Sequence, residues 1–165
     1  AERVVLLQHA IDSIASTFYT QVMFADFELQ AHRLVEQDQP VTADALNAIY
    51  ATLLGEYYGD VIDTEELSRV TWARIPHFFS TPYYVYQYAT CFASTAALMQ
   101  GLRTPDAATR AAAVARYLDL LRAGGSDYPM ALLAKADVDL SQPDTVRAVS
   151  VELDMLVARL EAELA

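Results

Sequence analysis

The chain has 165 residues, 54% hydrophobic and 10% aromatic, which supports one packed domain over 1–165 and excludes a disordered polypeptide. A formal charge of −11 argues against nucleic acid or an anionic membrane as partner, and reads instead as a solubilising surface. No apolar run reaches the ~18–20 residues of a membrane span; the stretch Tyr83–Met99 is too polar and too short.

The single cysteine, Cys91, cannot close an intrachain disulfide, and between Thr90 and Phe92 it reads as a small core residue. The opening, AERVVLLQ, lacks an initiator Met and the layout of a secretory signal. A cytoplasmic location is expected, for a chain cut from something longer.

Val4, Leu7, Ile11, Ile14, Phe18, Val22, Ala25 and Leu29 recur at steps of three and four, predicting one long amphipathic helix over about Glu2–Glu36. Phe24, Phe27, Ala31 and Leu34 add a second apolar stripe to its later half. That surplus of apolar surface leads us to expect neighbours around it, a second copy of the chain among them. Gln37–Pro40 ends the helix, and Thr42 caps a second one that closes at Gly59.

Asp63 or Thr64 then caps a short helix with Glu65 and Glu66 in its first turn, stopped by Pro76. Residues 77–82 read as loop, followed by a helix from about Tyr83 to Leu102. Thr104-Pro105 opens a helix to Arg122, closed by Gly124-Gly125. A short helix near Pro129–Ala136 precedes a capping box at Ser141–Asp144, and the last helix is carried by Val146, Val149, Leu153, Leu156 and Leu160. With no sustained strand alternation, the expectation is an all-α fold: a long N-terminal helix packed with about six shorter ones.

The three histidines, His9, His32 and His77, include no pair four apart, so no H-E-x-x-H zinc motif is present. His9 reads as a surface residue. Glu28 and His32 lie four apart on one helical face, where a solvated ion pair is far commoner than half a metal site. The glycines stand at or near helix ends and form no phosphate loop.

One block rises above this background, WARIPHFFSTPYYVYQYATCF (Trp72–Phe92). Pro76 and Pro82 bracket His77, and Tyr83, Tyr84, Tyr86 and Tyr88 follow at once. On a helix from Tyr83, Tyr83 and Tyr86 share one face, and Tyr84 and Tyr88 the next. Phenols remain protonated at neutral pH and can donate hydrogen bonds to an oxyanion; an imidazole beside them can donate to a peptide carbonyl or a carboxylate. On the residues alone, this is either such a site or an aromatic core helix whose hydroxyls reach water.

The ordered words TFYTQVMFADFE (Thr17–Glu28), EYYGD (Glu56–Asp60), WARIPHFF (Trp72–Phe79), YYVYQYATCFAS (Tyr83–Ser94) and AGGSDYP (Ala123–Pro129) resemble the C-terminal portion of oligoendopeptidase F, a member of the thimet-oligopeptidase-like zinc metallopeptidases. The resemblance covers nearly the whole chain. It implies a mostly helical enzyme that hydrolyses short peptides in a channel, with zinc held by H-E-x-x-H and a downstream glutamate upstream of this chain. It further implies Tyr86 as the oxyanion donor, with His77, Tyr83 and Tyr84 as substrate-binding residues. The partners implied are an oligopeptide and the remainder of the catalytic domain. No metal is expected in this chain, which alone should be inactive. Ser80-Thr81-Pro82 stands where some relatives carry a longer glycine-rich loop. The rival readings are a non-catalytic helical module that binds a peptide or ligand, and a helical oligomerisation domain.

Overall fold

The computed structural model describes residues 2–61 and 66–165. Every regular element among them is helical, so the chain is all-α. The long first helix spans Glu2–Glu36 as expected, but in three parts: α1 (Glu2–Ile14), a π-helical turn (Ala15–Tyr19) and α2 (Thr20–Glu36). After it come α3 (Ala43–Tyr58), α4 (Glu66–Arg69), α5 (His77–Ser80), α6 (Tyr86–Arg103), α7 (Ala107–Ala123), α8 (Pro129–Lys135) and α9 (Pro143–Leu164). Short 3-10 turns occupy Gly59–Val61 and Thr71–Arg74.

The π turn changes which stripe is buried. A turn with an i→i+5 bond holds an extra residue, so the face that packs shifts beyond it. Leu7, Ile14 and Phe18 are buried up to the turn, whereas Met23, Phe24, Phe27 and Glu28 are buried after it. Leu29, expected on the first stripe, is exposed.

The chain divides into two compact units, Ser16–Ala89 and a second that joins the segment up to Ala15 with Thr90–Ala165. In the Ser16–Ala89 unit, the Thr42 hydroxyl accepts the Ala45 N–H at 3.2 Å and caps α3. Gly59, at φ 57°, closes that helix in a conformation that costs a side chain dearly. The core of this unit is Met23, Phe24, Phe27, Tyr50, Leu53, Leu54 and Val85, flanked by Trp72, Ile75 and Phe78. Phe27 is its centre, with Phe78 at 5.0 Å, Tyr50 edge-on at 5.4 Å and Trp72 stacked at 6.0 Å. The Trp72 indole N–H donates to Asn47 Oδ1 at 2.8 Å, tying the segment before the site to α3. The expected caps Asp63 and Thr64, with Glu65, lie outside the described residues; α4 begins at Glu66.

In the other unit α1 packs along α9, and Arg3 pairs with Glu163 at 3.1 Å. Small residues line its interior: Ala93, Ala96, Ala113, Ala136 and Ala148 are buried with Val149 and Leu156. Helices approach closely there, since a Cβ on Gly101 would sit 3.2 Å from that of Ala113. Cys91 is exposed, contrary to expectation: the buried positions of α6 are Ala89, Ala93, Ser94 and Ala96, and a residue two away from each of the first two faces away from them.

Two caps also differ from the sequence reading. Asp106, not Thr104, caps α7, accepting the Thr109 N–H at 2.7 Å. Ser141 bonds to Asp139 at 2.7 Å instead of forming a box with Asp144, and Gln142 is the residue before α9. Val146 is exposed, while Thr145, Ala148, Val149 and Leu156 form the buried stripe of α9. Gly124 closes α7 and Pro129 opens α8 as predicted.

Candidate functional site

The block 72–92 is built on the aromatic core of the Ser16–Ala89 unit. Phe24 meets Phe78 edge-on at 5.6 Å, and Phe78 lies on α5, whose first residue is His77. Pro76, at φ −64°, is the residue before α5, where its missing N–H costs nothing. Residues 77–80 are thus one helical turn where loop was expected. A proline ahead of a helix starts it as readily as a proline inside one stops it.

The tyrosines do not share one helix. Helix α6 begins at Tyr86, three residues later than expected, so Tyr83 and Tyr84 precede it and the helical-face pairing of Tyr83 with Tyr86 does not arise. Val85 is the anchor: it is buried in the core, and Ala89, four residues on, is buried below it. Tyr83, Tyr84, Tyr86 and Tyr88 are exposed by contrast, at 48%, 39%, 48% and 38%. The four tyrosines are thus partly exposed in this chain, while Val85 and Ala89 hold the buried positions.

The structure gathers the candidates other than Tyr86 into two groups. In the first, His77 stacks on Tyr84 with ring centres 5.3 Å apart and planes within 3°. Tyr88 stands edge-on to both, 6.4 Å from His77 and 5.5 Å from Tyr84. A hydrogen bond to Tyr84, with burial adding to it, holds the proton on the Tyr88 hydroxyl and pushes its pKa up. His77 and Tyr88 also line an open pocket of about 370 Å³ with Phe24, Ile75, Thr17 and Gln21.

In the second group, Tyr83 stacks on His32 with ring centres 4.6 Å apart. The Tyr83 backbone N–H donates to Glu28 Oε1 at 2.7 Å. Tyr83 has φ 58°, a left-handed conformation that costs a residue with a side chain roughly 1–2 kcal/mol. Glu28 is only 5% exposed. The solvated Glu28–His32 pair expected from the sequence is corrected on this point: both residues serve Tyr83, one through the backbone and one through the ring. The sequence signal was available, since Glu28 falls on the stripe of Phe24 and Phe27, and a glutamate is rarely buried without a partner.

Below the site, burial pushes the Tyr50 hydroxyl up to about 12, with Tyr58 adding to the rise and Arg74 opposing it. Among the described residues no three His, Cys, Asp or Glu side chains are grouped to hold a metal ion.

The sequence pattern of Peptidase family M3 matches residues 2–150. The chain belongs to peptidase family M3. Among relatives in the family, oligopeptidase PepF of Bacillus subtilis is 36% identical over 147 residues, 89% of this chain and 21% of its own length. An oligoendopeptidase F homolog of Borreliella burgdorferi is 39% identical over 136 residues, 82% of this chain and 22% of its own length. The crystal structure of oligoendopeptidase-F from Enterococcus faecium superposes with a TM-score of 0.88 at 32% identity, over 97% of this chain and 30% of that one. The chain thus spans about a fifth to a quarter of the curated M3 relatives it matches. Among the described residues no helix is long and apolar enough to cross a membrane.

Proposed function

We propose that this M3 chain is the C-terminal part of the catalytic domain of a larger zinc-dependent oligoendopeptidase, acting on short peptides in the cytoplasm. The observation that carries the reading is the outward-facing histidine–tyrosine cluster in a chain whose relatives are oligopeptidases. The zinc, which would supply the activated water, is assigned to residues outside this chain.

Within the proposed cleft, Tyr86 donates its hydroxyl proton to the oxyanion that develops on the scissile carbonyl. A phenol hydroxyl can donate a hydrogen bond to an oxyanion without carrying charge of its own. Its place as the first residue of α6 adds the positive end of an eighteen-residue helix, which favours an anion nearby. His77, held flat against Tyr84, presents its imidazole edge to the peptide backbone, and Tyr83 and Tyr84 complete the grip. Tyr88 keeps Tyr84 in place through their shared hydrogen bond.

The test is steady-state kinetics on the full-length enzyme. An oxyanion donor stabilises the transition state and not the bound substrate, so Tyr86→Phe should lower kcat by ~10²–10³-fold with KM nearly unchanged. His77→Ala should raise KM as well. Normal kcat in Tyr86→Phe with a large loss in Tyr84→Phe would move the role to Tyr84. Normal kcat in all four Tyr→Phe variants at 83, 84, 86 and 88 would reject the site.

A further inference from the structure

The buried carboxylate of Glu28 takes no part in the reaction just described. We propose, resting on the assignment of Tyr86 above, that Glu28 is a positioning residue whose carboxylate holds Tyr83 in its left-handed turn and so fixes where the Tyr86 hydroxyl stands.

Three observations lead there. Among the described residues, the non-glycine positions with positive φ are Asp38, Tyr83 and Asp137. Asp38 and Asp137 lie just past the ends of α2 and α8, where an aspartate tolerates the left-handed region. Tyr83 has neither excuse: it is aromatic and stands three residues ahead of a helix. Such an outlier persists only where its surroundings over-determine it, and this is common beside functional groups.

The surroundings are supplied by α2. Glu28, 55 positions earlier in the chain, meets the Tyr83 N–H at 2.7 Å, a short bond to a carboxyl oxygen. One helical turn on, His32 stacks on the Tyr83 ring at 4.6 Å. The residue is thereby held at both backbone and side chain.

Little slack separates that hold from Tyr86. Val85 is plugged into the core at 1% exposure, and the Tyr84 carbonyl accepts the Gln87 N–H at 3.1 Å to begin α6. With Val85 fixed on one side and Tyr83 on the other, the chain has one path into the helix. Releasing Tyr83 allows its φ to relax to a negative value and leaves Val85 as the one remaining anchor, about which the first turn of α6, and the Tyr86 hydroxyl on it, can then reorient. Misplacing a reacting or stabilising group by about 1 Å can cost ~10²-fold in rate.

The experiment uses the full-length enzyme with Glu28→Ala, Glu28→Asp and Glu28→Gln, each with and without Tyr86→Phe. Glu28→Ala and Glu28→Asp, which remove or shorten the acceptor, should lower kcat by ~10–100-fold while KM changes far less. Glu28→Gln keeps an oxygen that accepts the N–H and should rescue most of that loss. In the Tyr86→Phe background, Glu28→Ala or Glu28→Asp should cost less than ~3-fold more, since the group they position is gone.

Amide exchange at Tyr83 gives a readout that does not involve catalysis: it should quicken in Glu28→Ala and Glu28→Asp and stay slow in Glu28→Gln. Folded Glu28→Ala or Glu28→Asp enzyme with full kcat overturns the proposal, as do losses that multiply in full with that of Tyr86→Phe. If Tyr86→Phe alone keeps normal kcat, the oxyanion assignment fails and the positioning role with it. Unchanged exchange at Tyr83 with a catalytic Tyr86 rejects the Glu28 role alone.

Discussion

Phe27 is the residue whose loss should most damage the platform beneath the site. It is 2% exposed and touches Phe78, Tyr50 and Trp72 at once. Truncating a buried phenylalanine removes its transfer free energy and leaves a cavity, together roughly 3–5 kcal/mol. The ring contacts, each worth ~0.5–1.5 kcal/mol beyond burial, place Phe27→Ala toward the upper end of that range. A unit the size of Ser16–Ala89 holds roughly 4–11 kcal/mol in all, so the substitution removes a large share of its stability. The assay is urea unfolding followed through Trp72, the one tryptophan of the chain, which sits in this unit. With a slope of about 1 kcal/mol per M, the midpoint should fall by at least ~2 M. Val35→Ala, on the exposed end of α2, is the control and should shift by less than ~0.5 M by the same slope. Equal midpoints for the two variants would refute Phe27 as the centre of this core.

Alkaline stability should depend on Tyr50. Its folded pKa of about 12 lies above the ordinary value of 10.0, so the folded state keeps a proton that the unfolded chain releases. The contribution, roughly 2–3 kcal/mol, is present below pH 10 and is lost as pH rises toward 12. Burial raises Tyr57 in the same direction, with Asp26 and Glu56 adding to it. Phenolate absorbance against pH should show these tyrosines titrating late, and Tyr50→Phe should flatten the alkaline fall. The 165-residue chain by itself should bind no stoichiometric zinc and cleave no peptide; one tight zinc per chain, with activity lost to a chelator, would contradict the assignment of the metal elsewhere. Exposed Val5, Leu6, Leu29 and Val35 along the first helical run should drive the chain to self-associate. Light scattering checks this, and a strict monomer at high concentration would count against it.

Element types were legible from sequence wherever one periodic face met one core. Helices α3, α7 and α8 followed from stripes bounded by Thr42, Gly59, Gly124 and Pro129. The first helix was legible in extent but not in face, because a π turn leaves no mark in the apolar spacing. The site block was legible as a cluster of residue types and not as geometry. Tyrosines repeat so densely from Tyr83 that they masked the Val85–Ala89–Ala93 stripe, which fixes where α6 begins and turns Cys91 outward. Glu28 was misread because a glutamate followed four residues later by a histidine resembles a surface pair; the partner it has is a backbone N–H 55 positions away. Long-range polar contacts of that kind leave no local pattern.

The central claim is that the Tyr86 hydroxyl faces the oxyanion of the scissile carbonyl. The most direct test is a structure of the full-length enzyme with a peptide analogue carrying a tetrahedral centre at the cleavage position. The account predicts the Tyr86 Oη within ~2.7–3.1 Å of an oxygen on that centre, with His77 and Tyr83 on the flanking peptide backbone. A Tyr86 hydroxyl turned away from the analogue, with another group donating to that oxygen, would contradict it.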